Sequence, residues 1–344
     1  MSATAVYWLI GVAVIAYAVT AGADFGGGLW DLLATGPRRE RQRELIAEAI
    51  APIWEVNHIW MIFVVVMLFS VFPHAFAVVS IALHVPILLV LVGIVLRGSA
   101  FIFRAYGMEP DERRAQWGRV FAITSAATPI ALGAILAALS SGDILVELDA
   151  AGAPQVRSGF FVGWTSPFAL AVGLFTLALF TMLAATYLAR EAQVRGELEL
   201  SIDFRRRAVI SEAVAGALAM LVCWRAWAES PELFHNLLAQ PWSLPAQALT
   251  AAVAVAAIVC LRRDMLQVAR ALVIVQVALV VVGWGVAMDG DLVLGALDHQ
   301  DAGAREAVLA RLPYVLAGGS VLFVPALWWL FRVFKSETAS SATS

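Results

Sequence analysis

The sequence predicts an all-α, polytopic membrane protein, and two features of its composition carry that prediction. Hydrophobic residues make up 61% of the 344 residues and charged residues only 14%, whereas a soluble domain has about 45–50% apolar and about 25% charged residues. The apolar residues also collect in stretches of about 20, the length that spans a bilayer as a helix. The net charge is −3, which gives no indication of nucleic-acid binding.

Hydropathy places nine membrane-spanning helices along the chain. The first has no basic segment before it, so we interpret it as a membrane helix and not as a cleaved signal peptide. The fifth is interpreted as a span with a helical extension beyond the membrane. Residues 1–335 are expected to form one transmembrane domain, followed by a disordered cytoplasmic tail at 336–344. The nine spans are expected near residues 5–33, 48–72, 76–97, 119–140, 160–189, 208–227, 244–262, 268–288 and 312–334.

The basic residues predict the orientation of these spans. Nineteen of the 23 Lys and Arg residues fall in segments on one side of the nine spans. By the positive-inside rule this side is cytoplasmic, which places the N-terminus outside and the C-terminus in the cytoplasm. The four exceptions are Arg157, Arg225, Arg305 and Arg311.

No metal site is expected in this chain. Cys223 and Cys260 lie far apart in apolar stretches, without the spacing of a zinc, iron–sulfur or disulfide framework. The loop at 289–311 is acidic, but its spacing matches no calcium-binding loop, and we interpret it as a solvated acidic loop. Glu55 and His58 have the Glu-x-x-His spacing of di-iron bundles, but only one copy of the motif is present.

A carboxylate and an imidazole lie together in the second predicted helix. Glu55 and His58 are three residues apart and share a helix face, Trp54 is four residues from His58, and Asn57 points elsewhere. An ionisable residue inside a membrane is costly and indicates a functional site by default. Two interpretations stay open: a proton relay or partner contact, and a hydrogen-bonded pair that only fixes helix packing.

A second group of polar residues is spread over the first and third predicted helices. Asp24 lies deep in the first helix, before the glycines at 26–28, and small residues in membrane helices let another helix approach closely. Arg97 and Arg104 bracket one end of the third span. They are expected to pair with Glu55 or Asp24, to bind lipid phosphate, or only to orient the chain.

Two segments carry a family resemblance. Residues 18–26 read AVTAGADFG and residues 50–60 read IAPIWEVNHIW. Together they resemble subunit II of the cytochrome bd-type quinol oxidases, in which Gly-x-Asp-x-Gly ends the first helix and Ile-Ala-Pro-x-Trp-(Asp/Glu)-x-Asn-x-x-Trp begins the second. The resemblance extends over the whole chain, with further matches at Arg97, Arg104, 166–168, 186–188 and 196–198.

The resemblance implies a fold and a partner. The fold would be nine transmembrane helices in two four-helix bundles plus one peripheral helix. The partner would be a similarly folded subunit I that carries haem b and haem d, oxidises quinol and reduces dioxygen to water in the bacterial cytoplasmic membrane. This chain would bind no haem or metal and would not be catalytic alone. The resemblance also allows a structural quinone, contacts with quinol and lipid, and small single-helix subunits.

The resemblance also assigns roles to individual residues. Glu55 matches an embedded acidic residue of the family and Asp24 matches an aspartate of the first helix, so both are expected on a proton path that His58 supports. The chain has Ala21 where many members have a further acid, and Glu55 where many have Asp. Contacts with the partner subunit, lipid or quinone are expected at Trp54, Asn57, Trp60, Arg97 and Arg104.

Three functions are therefore compared. The preferred one is an accessory, haem-free subunit of a bd-type quinol:oxygen oxidoreductase that stabilises subunit I and contributes a cytoplasmic proton path. The second is a purely structural scaffold of a divergent bd-like complex. The third is an ion-coupled transporter, although the chain lacks the matching pair of interrupted helices that such proteins have.

Overall fold

The computed structural model describes residues 1–106, 111–150, 153–300 and 306–340. Within these ranges the chain forms eleven α-helices and two short antiparallel β-hairpins. The helices are α1 (Ala3–Leu32), α2 (Arg39–Val71), α3 (Pro73–Ala82), α4 (His84–Tyr106), α5 (Asp111–Ser140), α6 (Pro167–Val194), α7 (Leu198–Glu229), α8 (Pro231–Leu238), α9 (Ser243–Arg262), α10 (Leu266–Ala287) and α11 (Glu306–Ser340). The strands are β1 (Val146–Leu148), β2 (Pro154–Val156), β3 (Asp291–Val293) and β4 (Leu297–Asp298).

The helices confirm a multi-pass membrane protein. In the described ranges, eight helices are long and apolar enough to cross a membrane. The count reaches nine when the bent pair of Val56–Val71 and Pro73–Ala82 is taken as one span. Several helices are longer than the apolar stretches that predicted them, because their polar ends continue the helix beyond the apolar core.

The third predicted span begins later than expected. It was placed at 76–97, but residues 73–82 form the separate short helix α3, and the long helix α4 begins at His84. Pro73 accounts for the break between α2 and α3, because proline has no backbone N–H and cannot continue a preceding helix. Pro73 instead occupies the first turn of α3, where that N–H is not needed. The two helices on either side of Phe72 meet at an angle of 118°.

The helix contacts fall into connected groups. Helix α1 packs against α2, α5, α6 and α10, and α4 packs against α5. Four other helices contact one another in a closed ring, in the order α6, α7, α9, α10 and back to α6. Helix α11 packs against α2. The division into two four-helix bundles and one peripheral helix stays a prediction.

The last helix is longer than the predicted span at 312–334. Helix α11 runs from Glu306 to Ser340. Residues 341–344 lie outside the described residues, and the disordered tail at 336–344 stays a prediction. The start of α11 follows the acidic loop, where β3 and β4 pair through Asp291 with Asp298 and Val293 with Leu297.

Candidate functional site

The glycine run of α1 brings three neighbouring helices into close contact. A Cβ atom on Gly26 would overlap the backbone carbonyl oxygen of Phe180 in α6. A Cβ on Gly27 would overlap Ile50 in α2, and one on Gly28 would overlap the Ser125 hydroxyl in α5. The prediction that these small residues let another helix approach closely is confirmed. The three glycines allow close contact with three different helices, α6, α2 and α5.

Asp24 lies at the centre of this close packing. Its side chain has no exposed surface. The Asn57 side chain in α2 donates Nδ2–H to Asp24 Oδ2 at 2.6 Å. The Arg97 guanidinium in α4 donates Nη2–H to Asp24 Oδ1, and the same group lies 3.1 Å from the Asp24 backbone oxygen. Three helices therefore meet at one buried carboxylate.

The Arg97 guanidinium also contacts one serine and two phenylalanine rings. Its Nε–H donates to Ser125 Oγ at 3.1 Å, and the Ser125 hydroxyl in turn donates to the Phe121 carbonyl at 2.6 Å. The centre of the guanidinium lies 5.0 Å from the Phe25 ring centroid and 4.8 Å from that of Phe121. A cation desolvated between aromatic faces gains about 2 kcal/mol or more from each favourable contact. These contacts and the Asp24 carboxylate offset the cost of burying the charge.

Two further polar atoms lie at this cluster without a hydrogen-bond partner in the described residues. They are the Tyr17 hydroxyl, on the same helix as Asp24, and Asn57 Oδ1. Tyr17 is 5% exposed and close enough to interact electrostatically with both Asp24 and Arg97. Buried polar groups without partners are uncommon, and each one indicates strain or a functional role.

The predicted site residues differ in how deeply the structure buries them. Asn57 and Arg97 were expected to face a partner, lipid or quinone, but the structure buries both inside this chain, at 0% and 3% exposure. Of the open alternatives for Arg97, pairing with Asp24 is the one observed. His58 is half-buried and within electrostatic reach of Arg97. Trp60 makes an edge-to-face contact with Phe323 of α11, with 6.2 Å between ring centroids.

The side chains of Glu55, Trp54 and Arg104 lie outside the described residues. Their backbones belong to α2 and α4. The expected roles of Glu55 on a proton path, and of Trp54 and Arg104 at a contact surface, stay predictions.

Sequence reasoning missed Tyr17, Ser125, Phe25 and Phe121 as members of the site. Only Tyr17 had a usable signal, because it lies seven residues before Asp24 and therefore on the same helix face. A lone serine and two phenylalanines in apolar helices look like ordinary membrane sequence. Their role depends on the approach of α4 and α5 to α1, which no local pattern reveals.

A cavity of about 190 Å³ lies at the end of the molecule that holds the arginine-rich loop after α1. Its inner wall includes Ile50, which packs on Gly27, and Phe121, which packs on Arg97. Its outer wall is mostly charged. The charged lining residues are Asp31, Glu40, Arg43 and Glu44.

Several arginines at this end are paired with carboxylates. Arg38 donates to both oxygens of Asp203 at 2.9 Å, and Arg41 donates to Glu197 at 2.6 and 2.8 Å. The hydrogen bonds to Asp203 raise the pKa of Arg38, and those to Glu197 raise the pKa of Arg41. These arginines therefore join α2 to α7 and the turn before it, in addition to any role in orienting the chain.

The acidic loop at the other end forms a hairpin with a buried histidine. His299 is 6% exposed, with Nδ1 at 2.8 Å from the Gly290 carbonyl oxygen and Nε2 at 3.0 Å from Thr4 Oγ1. A carbonyl only accepts, so Nδ1 carries a proton toward Gly290, and Nε2 shares a hydrogen bond with the Thr4 hydroxyl. Burial raises the pKa of Asp291 in the same hairpin. The described residues contain no group of three or more His, Cys, Asp or Glu side chains that could hold a metal ion.

The Asp24 cluster contains a carboxylate, a guanidinium, an amide and two hydroxyls, all buried inside the helices. It contains no imidazole, thiolate or thioether, which are the common ligands of haem iron, and its one phenol belongs to Tyr17.

The fold and this site define a multi-pass helical membrane protein with a buried ion pair at the meeting point of several helices. The sequence model of the family "Cytochrome bd terminal oxidase subunit II" matches residues 2–334. The chain belongs to that family.

Known proteins similar to this chain include two bacterial oxidase subunits. The cytochrome bd-I ubiquinol oxidase subunit 2 of Escherichia coli (strain K12) is 30% identical over 223 residues, which cover 64% of this chain and 54% of that protein. The putative cytochrome bd menaquinol oxidase subunit II of Bacillus subtilis (strain 168) is 31% identical over 90 residues, 26% of each chain. The chain thus matches about half the length of the first relative and a quarter of the second.

A solved structure supports the fold. The bd oxidase from Geobacillus thermodenitrificans contains a chain that superposes with a TM-score of 0.72 at 21% sequence identity. The superposition covers 97% of this chain and 99% of that one. At this identity the likeness concerns the arrangement of the helices and not the chemistry of the site.

Proposed function

We propose that this chain is the accessory, haem-free subunit of a bd-type quinol:oxygen oxidoreductase in a bacterial cytoplasmic membrane. It stabilises a subunit I that carries haem b and haem d, and it supplies part of a path for protons from the cytoplasm. Family membership supports the first part of this proposal. The buried carboxylate Asp24 is the observation that carries the second, and a cavity at the arginine-rich end shares Phe121 with its cluster.

The proposed orientation follows from charge. The arginine-rich end of the molecule faces the cytoplasm by the positive-inside rule, so the N-terminus lies outside and the C-terminus inside. The cavity then opens to the cytoplasm, where protons for oxygen reduction are taken up. Its charged outer wall keeps water at the entrance, and Phe121 separates this water from Arg97.

The cluster itself controls where a proton can rest. Arg97 and Asn57 hold the Asp24 carboxylate in place by charge-assisted hydrogen bonds, which are about twice as strong as neutral ones. The Tyr17 hydroxyl and Asn57 Oδ1 are the remaining polar atoms. The hydroxyl can donate or accept a hydrogen bond beside that carboxylate, and the amide oxygen can accept one. Glu55 and His58 extend this set along α2. In this proposal the haem chemistry belongs to the partner, and this chain only delivers and positions protons.

Composition of the purified complex tests the first part of the proposal. We expect a tagged chain, purified from native membranes in mild detergent, to bring with it a second large membrane subunit and the reduced-minus-oxidised bands of haem b and haem d. An unrelated multi-pass protein with the same tag is the control and should purify without them. A colourless chain without a partner would contradict the proposal, and transport by that chain in liposomes would support the transporter.

Substitution of the embedded acids tests the proton path. We expect Glu55→Gln and Asp24→Asn to lower oxygen consumption per haem in the assembled complex by roughly tenfold or more, because a positioned proton-transfer group is lost. Asp143→Asn, at an exposed acid of the opposite end, is the matched control and should leave turnover unchanged. If the two embedded variants lower only the amount of complex and not its turnover per haem, the scaffold function is correct and the proton path is wrong.

A further inference from the structure

A second buried carboxyl lies on helices that take no part in the Asp24 cluster. Glu212 in α7 is 3% exposed and Gln276 in α10 is 6% exposed. The Gln276 amide donates Nε2–H to Glu212 Oε1 at 2.6 Å. The sequence alone does not reveal this partner, because Glu212 and Gln276 are 64 residues apart in the chain.

The surroundings of this pair are aliphatic. Ala215, one turn beyond Glu212, and Val273 and Val277, which flank Gln276, belong to one buried hydrophobic cluster. The residues that α6 and α9 contribute to the same cluster are also apolar: Ala178, Leu179, Met182, Leu183 and Ala257. No ion pair of Glu212 is formed within the described parts of the chain, in contrast to Asp24, which has Arg97.

The nearest cations along the two helices are engaged elsewhere. Arg207, five residues before Glu212, donates to Gln42 at 2.9 Å and lies over the Trp30 ring. Arg270, six residues before Gln276 and roughly 9 Å along the axis at 1.5 Å per residue, lies over the Tyr187 ring. Neither provides a countercharge for Glu212.

A hydrogen-bond count distinguishes the two charge states of Glu212. Glu212 Oε2 and Gln276 Oε1 both lack a partner in the described residues. A carboxylate can only accept hydrogen bonds, so an ionised Glu212 leaves two buried acceptors unsatisfied and one buried charge without compensation. A proton on Oε2 removes the charge and provides a donor for Gln276 Oε1.

We propose that Glu212 is a proton-binding site that stays loaded at neutral pH and forms a ring of two hydrogen bonds with Gln276. In this ring Gln276 Nε2–H donates to Glu212 Oε1, and the Glu212 Oε2–H donates to Gln276 Oε1. The ring joins α7 to α10 without any net charge. It gives the chain a second proton-binding carboxyl, and this inference does not depend on the proposed role of Asp24.

Infrared spectroscopy of the purified full chain, in complex with whatever co-purifies, tests the proposal directly. At neutral pH we expect a carbonyl band of a protonated carboxylic acid that shifts in deuterated water and is absent from Glu212→Gln. Gln276→Leu should keep the band but move it, because the acid loses its acceptor. Glu191→Gln, which removes a carboxylate paired with Arg195 at 2.9 Å, is the control and should leave the acid band unchanged.

Thermal unfolding provides an independent measurement. Glu212→Gln can rebuild the same two-bond ring as an amide pair, so its unfolding temperature should equal that of the unsubstituted chain at about pH 4, near the ordinary pKa of a glutamate. As the pH rises above this value, the unfolded chain releases the Glu212 proton while the folded chain keeps it, so the unsubstituted chain should become progressively less stable than the variant. A difference in unfolding temperature that does not change with pH, with no acid band in the parent, would overturn the proposal. Stabilisation of the parent by sodium but not potassium, again with no acid band, would replace the proton by a bound cation.

Discussion

Replacing Arg97 with methionine is expected to destabilise the protein by roughly 3–5 kcal/mol, the usual result of removing one partner of a buried ion pair. The Asp24 carboxylate would be left charged in a fully buried site, with only the Asn57 amide as a donor. The packing between Phe25 and Phe121 would also lose its cation. Thermal unfolding in detergent, with the variant and the parent side by side, measures the loss.

Two controls decide whether charge is the cause. In the double variant Asp24→Asn with Arg97→Met, most of the stability lost in Arg97→Met should return. Replacing both members of a buried ion pair by uncharged groups often leaves the free energy of unfolding unchanged. Arg157→Met removes an exposed ion pair with Glu147 at 2.9 Å, and such pairs contribute about 0–1 kcal/mol. If Arg97→Met behaves like Arg157→Met, the buried pair does not hold these helices together.

Gly26→Ala is expected to destabilise the protein by about 1–3 kcal/mol, the range for overpacking a tight interior. The added methyl group would overlap the backbone carbonyl of Phe180. A backbone atom cannot rotate away as a flexible side chain can, so α1 and α6 must move apart. The shift would also stretch the contacts of Asp24 with Asn57 and Arg97, which depend on the position of α1.

Gly11→Ala is the matched control for this substitution. It lies in the same helix, but a Cβ there would meet nothing within 4 Å. Alanine is favoured over glycine within a helix by roughly 0.5–1 kcal/mol, so Gly11→Ala should leave the stability unchanged or raise it slightly. Equal effects of the two substitutions on the unfolding temperature would show that α1 has room to move at Gly26.

The sequence predicts the helices well because a membrane imposes a simple length and composition on them. It also identifies Asp24 as a costly residue. For Arg97 it leaves open pairing with Glu55 or Asp24, lipid phosphate and a purely orienting role, because helical periodicity gives the face of a residue but not the neighbour of that face. Asn57 shows the same limit, because its bond to Asp24 emerges only from the packing of α2 on α1.

The remaining members of the site could not be predicted for a different reason. Ser125 carries a single hydroxyl in an apolar helix, where a serine often bonds only to its own backbone. Ser125 does so, donating to Phe121, and it also accepts from Arg97. Only the approach of α5, which Gly28 permits, distinguishes this serine from the others.

The ion pair also has a consequence for the order of biogenesis. Asp24 and Arg97 are 73 residues apart, and chains are made from the N-terminus onward, at about 5–20 residues per second. Helix α1 therefore meets the translocon before its cationic partner has left the ribosome. An isolated aspartate at a helix centre raises the cost of membrane insertion by about 2.5–3.5 kcal/mol, which the apolar remainder of α1 must outweigh. The Asp24 cluster is therefore assembled late, when α4 arrives. A nascent chain stopped before Arg97 would have α1 in the membrane without the ion pair that Arg97 forms with Asp24.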